Sequence, residues 1–462
     1  MFNKSILNYN QPLLIEIVTL FIIQKVYFYT DMKILVLYKM GSTVVRNTIT
    51  EHLYSFKNYY KEADYHYFNV IKRIPTYLTK IKYDGVILHY TFLSYRYKLS
   101  NSEWEKYING IKKLKGYKVA IPQDEYVDTN KLCYLFKSQN ISTVFTCFNK
   151  KHDWLLAYPK EEANLKTYIP VLAGYVNDNQ INNFKLKEYR NRPIDIGYRA
   201  RKLPYYIGLH GQLKYKLAVV FLRKLRYKNF IYNITITDKN ERNALLSKDW
   251  YLFLRNCKAI LGCEGGASLL DETGKIRKLV EHYIELHPQA TFRETRNICF
   301  KGKDFNINCF TVSPRHFEAA ITKTLQILVE GHYEGILKPN IHYIKLNKDF
   351  SNINEIFIKL KNYNYCQKII DRAYRDIVLS KKYSYNKFVQ LVILTIKKNT
   401  SSLNSNIKDD IIFYFVGYLI NVRNKFLFFL YRLLNLLIYI PLKRFNIYSK
   451  IDMKKRFFYY KK

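Results

Sequence analysis

Short apolar runs alternate along the chain with longer stretches in which apolar residues recur every three or four positions. That alternation of strand-length and helix-compatible segments predicts parallel sheets covered by helices. Strands are expected at residues 33–38, 65–69, 85–89, 117–121 and 142–148. Asn191-Arg192-Pro193 then punctuates the chain, and a second series begins at once. It reads as strand 194–198, helix 204–226, strand 230–236, helix 243–257, strand 258–262 and helix 276–286. A further helix is opened by Ser313 and Pro314, serine suiting the N-cap and proline the first helical position. The expected fold class is α/β: two Rossmann-like domains facing a cleft, where strand C-termini and helix N-termini converge.

Both ends depart from this pattern. Residues 13–23 are apolar except Glu16 and Thr19, too short a run to span a bilayer, and no small-residue cleavage site follows. We expect residues 1–31 to be an N-terminal extension and the fold to begin at Met32. The domains would then be 32–190 and 191–390, followed by a basic, aromatic helical tail at 391–462. Within that tail, 411–440 is strongly apolar, interrupted by Asn421, Arg423, Asn424, Lys425, Arg432 and Asn435, with no acid between Asp410 and Asp452. An interfacial helix on an anionic membrane surface fits this composition. A helical hairpin packed on the domains is the alternative.

Composition narrows the partners. In 462 residues, 76 Lys and Arg face 37 Asp and Glu, a formal net charge of +39, and 48% of residues are hydrophobic. Disordered, collagenous and small disulfide-rich classes are excluded. Such an excess of cations suits nucleic acid, anionic membrane or a phosphorylated ligand. The charge is nevertheless spread over the whole chain, which is also crowded with Lys, Asn, Ile and 44 Tyr, residues that an A+T-rich genome favours. Without clustering or a nucleic-acid-binding motif, nucleic acid is the disfavoured partner. Seven cysteines with no CxxC pair read as buried thiols of a reduced, cytoplasmic protein. No HExxH or DxD pattern stands where a metal would need it, so no metal is expected.

Three segments carry candidate chemistry. Arg199, Arg201 and Lys202 follow strand 194–198 and precede a proline-led helix, a placement that suits a diphosphate. Glu264, Gly265, Gly266 and Ser268 lie in a loop where adjacent glycines allow a ligand to approach the backbone, with Asp271 beyond it. Arg315 and Glu318 lie in the first turns of the Ser313-Pro314 helix, where a carboxylate can accept ribose hydroxyls beside a phosphate favoured by the helix N-terminus. In the first domain, loops after strands hold His89, Asp124 and Glu125, of which His89 and Asp124 are the candidate bases toward an acceptor hydroxyl.

The segment from Arg315 through Phe317, Glu318 and Ala319 to His342, Tyr343, Ile344, Leu346, Asp349, Ser351 and Asn352 resembles the donor-binding half of bacterial two-domain glycosyltransferases of the B-type fold. The resemblance covers about residues 190–390. It implies a nucleotide-sugar donor on the second domain, with Glu318 on its ribose and the Gly265-Gly266 loop beside it, and a glycan or glycolipid acceptor on the first. The nucleotide-sugar is then a substrate, and no cofactor is implied. Retaining members usually carry a second glutamate eight residues before the first, where this chain has Phe310, so the stereochemical outcome stays open. The expected function is sugar transfer in polysaccharide or glycolipid assembly, by a metal-independent hexosyl- or related transferase peripheral on the inner face of the cytoplasmic membrane. The alternative is a non-catalytic protein that binds nucleotide-sugar or nucleic acid.

Overall fold

The computed structural model describes residues 32–41, 46–181, 183–237, 245, 248–400 and 407–434. The expected extension 1–31, the start of the expected helix 243–257 and the tail beyond 434 lie outside the described residues.

The first domain is built on β1 (Met32–Tyr38), whose seven residues are all buried. A strand covered on both faces must be apolar throughout, which is why MKILVLY carries no alternation. It is joined by β2 (Ala63–Asn69), β3 (Gly85–His89), β4 (Tyr117–Ile121), β5 (Thr143–Thr146) and β6 (Thr167–Pro170) in the order β2-β1-β3-β4-β5-β6. All neighbours are parallel, with Val36 opposite Tyr67 on one side and Ile87 on the other. The strand β6 was not anticipated, because TYIP is only partly buried and ends on proline.

The second domain repeats the scheme with β7 (Ile194–Arg201), β8 (Tyr232–Thr237), β9 (Cys257–Gly262), β12 (Leu325–Val329) and β13 (Ile344–Leu346), ordered β13-β12-β9-β7-β8 and again all parallel. A small antiparallel two-stranded ribbon, β10 (Gly265–Ala267) and β11 (Cys309–Thr311), stands apart from this sheet. The expected helix 204–226 is broken at Gly208 into a short turn, Tyr205–Ile207, and the helix Leu209–Leu225. Gly208 has φ +83°, and a Cβ there would lie 2.3 Å from the Ser268 hydroxyl, so the break requires glycine.

In each sheet the strand order reverses once, between β1 and β3 and between β7 and β9. Crevices outside the strand C-termini open at such switch points. In the second domain that point is flanked by Arg201 and Lys202 on one side and Cys263 and Glu264 on the other.

The chain returns to the first domain earlier than the expected boundary at 390. The Tyr385 amide donates to the Val176 carbonyl, and the helix Tyr385–Asn399 lays Phe388, Val392 and Ile396 on a core shared with Ile34, Val36, Ile87 and Val119. Gly85 lets that helix approach, since a Cβ there would sit 2.7 Å from Ile396. The last described helix, Ile407–Leu434, runs along the edge strand β2 and caps its open backbone: Asn424 donates to the Tyr67 carbonyl and Arg423 to that of Asn69. All seven cysteines are buried and free. The architecture is therefore two Rossmann-like domains facing a cleft with C-terminal helices, the B-type arrangement that the resemblance implies.

Candidate functional site

The two domains are tied at one end of the cleft. Val127 and Asp271 form a parallel bridge, the Asp128 amide donates to the Asp271 carbonyl at 2.9 Å, and the Asp271 amide donates to the Tyr126 carbonyl at 2.8 Å. The first-domain half of this clamp is set by Arg96, which is fully buried and donates to the carbonyls of Leu93, Asp124 and Val127. Asp271 thus serves the clamp, its carboxylate accepting from the Arg277 amide at 2.7 Å.

Glu318 occupies the middle of the helix Pro314–Ile321 and is 7% exposed. Its Oε2 accepts from Trp250 Nε1 at 2.7 Å. Burial pushes its carboxyl up to about 7; the Trp250 hydrogen bond opposes that rise, and Glu51 of the first domain adds to it. Arg315 and Arg46 pull weakly the other way. Arg315 lies over the Trp250 ring at 5.2 Å and donates to the Arg199 carbonyl at 2.7 Å. The carboxylate, the indole and the guanidinium therefore form one unit where the domains meet.

Lys214 joins them from the helix Leu209–Leu225. Burial holds its ammonium below the ordinary lysine range; Arg315 and Arg46 act in the same direction, and Asp124 opposes them. Groups from both domains therefore lie within electrostatic reach of this one ammonium. Asp124 is exposed at φ +51°, and its Oδ1 accepts from the Tyr126 hydroxyl at 3.0 Å.

Beside Lys214, the Gly265-Gly266 segment is fixed from below. His210 lies against Phe310, with ring centroids 4.0 Å apart, and its Nε2 is 3.1 Å from the Gly265 carbonyl. Burial holds His210 down to about 4, so the ring is neutral, and facing a carbonyl it must donate through Nε2. Gly266 has φ +93°, and a Cβ there would meet the Cys309 carbonyl at 1.7 Å, so only glycine allows this strand pairing.

The structure divides the expected residues into two groups. Arg315, Glu318 and Gly265 lie around the cleft, with Arg201 and Lys202 at the end of β7; Lys202 is exposed and reaches over Tyr205 and Tyr215. Others are turned to structural work. Arg199 stacks on Phe253 at 3.9 Å and donates to the carbonyls of Tyr198 and Asn233. Glu264 accepts from the amides of His332 and Tyr333 at 3.0 and 2.6 Å, pinning the loop after β12. Ser268 is sealed and donates to Asp304 at 2.7 Å. His89 is wholly buried: its Nδ1 accepts from the Thr91 amide, so its Nε2 carries the proton and donates to His52 Nδ1 at 3.0 Å. Glu125 is sealed too, accepting from Thr146, Tyr158 and the Cys147 amide.

The reading of the sequence missed Lys214, Trp250 and His210. Lys214 had a signal: it stands three and four residues before Leu217 and Ala218, on the buried stripe of its helix, where a lysine is out of place. Trp250, next to Tyr251 and near Phe253, reads as one more core aromatic.

No family model matches the chain, and no curated protein does. Among solved structures it is similar to an alpha-glucosyltransferase in complex with UDP and DNA, at 9% identity over 80% of this chain and 100% of that one, TM-score 0.46. It is also similar to HepE of Anabaena in complex with UDP and glucose, at 11% identity over 79% of this chain and 100% of that one, TM-score 0.43. A third is TarM, at 11% identity over 70% of this chain and 57% of that one, TM-score 0.39. Among the described residues, no group of three or more His, Cys, Asp or Glu could hold a metal ion.

Proposed function

We propose that this protein transfers a sugar from a nucleoside-diphosphate donor to a glycan or glycolipid acceptor presented at the inner face of the cytoplasmic membrane. The observation that carries the proposal is the Glu318–Trp250 pair, set beside Arg315, which in turn acts by charge on Lys214. A carboxylate with one oxygen already held by an indole can take two ribose hydroxyls on its remaining lone pairs. Lys214 and Arg315, with Arg201 and Lys202 at the same strand ends, suit the diphosphate, whose negative charge grows as the sugar departs. Asp124 is exposed and acts by charge on Lys214, which makes it the better placed of the two candidate bases, His89 being sealed. Loss of the acceptor proton to Asp124 and closure of the cleft against water would complete the chemistry.

Binding tests this directly. A ligand that binds only the folded state raises the melting temperature. Nucleoside diphosphates and nucleotide-sugars should do so for the intact protein, and Glu318→Ala should remove the shift while leaving the circular dichroism unchanged. The burial of His89 and the presence of Phe310 favour a second reading, a protein that binds nucleotide-sugar without turnover. Release of nucleoside diphosphate in the presence of glycan acceptors separates the two. A salt-sensitive complex with DNA or RNA, with no nucleotide binding, would overturn both.

A further inference from the structure

The helix Ile407–Leu434 is apolar on two opposite faces. Its inner face buries Phe413, Val416 and Ile420 in the first-domain core, and Gly417 brings it against the His66 ring. Its outer face leaves Ile411, Phe415, Tyr418, Val422, Phe426 and Phe429 between 45% and 61% exposed. These six follow one another at spacings of three and four residues, so they form one stripe of about 27 Å at 1.5 Å per residue. An apolar stripe of this length in water marks an interaction surface.

The stripe runs toward a group of cations. Lys33 pairs with Asp410 and Tyr414 donates to Asp64 at the start of β1 and β2, whereas Arg423 donates to the Asn69 carbonyl at the end of β2. The helix therefore runs parallel to the strand and reaches the C-terminal end of the sheet, the end at which the Asp124 loop also lies. There Lys39 donates to the Ile71 carbonyl and shares the Tyr95 ring with Lys98, beside exposed Lys72 and Arg73. Burial pulls Lys39 down to about 8, and the like charges of Lys98 and Arg423 add to that effect.

We propose that this outer stripe and the basic rim made by Lys39, Lys72, Lys98 and Arg423 form one docking surface for an anionic lipid bilayer, which holds the acceptor side of the cleft at the headgroups. The helix has the length and composition to cross a bilayer. Crossing would nevertheless strip its bonds to Lys33, Asp64, Tyr67 and Asn69. An interfacial position keeps them, with the aromatic residues in the headgroup layer. A second copy of the chain seated isologously would bring the same cations together, which anionic lipid would instead neutralise.

This inference rests on the proposed glycolipid-side acceptor, and flotation of the full chain with vesicles tests it apart from that reading. The protein should float with phosphatidylglycerol-containing vesicles and not with pure phosphatidylcholine. Replacing Tyr418, Val422 and Phe426 together by serine, or Lys72 and Lys98 by glutamate, should reduce the bound fraction about tenfold or more, with donor-induced thermal shifts unchanged. Equal flotation of both variants overturns the docking surface, as does failure of the parent protein to float while it still binds nucleotide. Conversion of a dimer to a monomer by the serine variant, without vesicle binding, would assign the stripe to a second copy instead. Flotation without any nucleotide binding leaves the docking surface standing and removes the transferase reading.

Discussion

Trp250 holds Glu318. The indole N–H lies 2.7 Å from one carboxylate oxygen, while Glu51 of the opposite domain acts on the same carboxyl by charge. A hydrogen bond to a charged group contributes about 1.5–3 kcal/mol. We predict that Trp250→Phe weakens nucleoside-diphosphate binding by about tenfold or more near neutral pH, as measured by titration calorimetry, with the fold retained.

The pH dependence of binding follows from the same pair. Glu318 is pushed up to about 7, so below that pH the donor-free site holds a neutral acid. Ribose hydroxyls donate to the ionised form, so binding should tighten as pH rises from 6 to 8 and level off above. Glu318→Gln should flatten the profile. A profile that keeps its slope in this variant would assign the titration to another group.

Two cations should separate cleanly. Lys214 feels the charges of Arg315, Arg46 and Asp124, whereas Arg199 is bound to backbone carbonyls and Phe253. Lys214→Met should weaken diphosphate binding by about tenfold and reduce its salt dependence. Arg199→Met should lower the melting temperature with little change in affinity for the folded protein. Equal losses of affinity would show that Arg199 turns toward the ligand when donor binds.

Gly266→Ala should be severe. The position combines φ +93° with a Cβ that would lie 1.7 Å from the Cys309 carbonyl, so the two paired strands themselves must shift. We expect destabilisation of roughly 2 kcal/mol or more, measured by urea unfolding. The expected loss of donor binding would follow from the displaced loop.

Glu125 makes a stability prediction with a definite sign. Burial raises its folded-state carboxyl to about 7, above the 4.5 of an exposed glutamate. In the unfolded chain the group ionises freely above 4.5, whereas the folded protein resists until about 7. Stability is therefore highest at low pH with respect to this group, and falls as pH rises through that window. Thermal melts of Glu125→Gln between pH 5 and 8 should show a shallower decline than the parent.

The sequence by itself determined the local elements, because burial of a parallel strand on both faces demands an unbroken apolar run. Residues 85–89 and 117–121 form strands with the expected limits, and the helix opens at Ser313-Pro314 with proline in its first turn, although the Ser313 side chain makes no capping hydrogen bond. It also singled out Arg315 and Glu318, whose place on the helix that Pro314 opens is a matter of chain order. Only the tertiary structure decided which cations meet the cleft. Arg199, Arg201 and Lys202 are equivalent as a basic run, yet the Phe253 ring and the Asn233 carbonyl, brought in by other elements, take up Arg199. Lys214, from a helix that the Gly208 break restarts, instead meets charges from both domains. Tertiary packing likewise split the apolar 411–434 segment into an inner face that seals β2 and an outer face left to a partner. Hydropathy along a chain cannot separate those faces, because both are apolar and only the position of the neighbouring sheet distinguishes them.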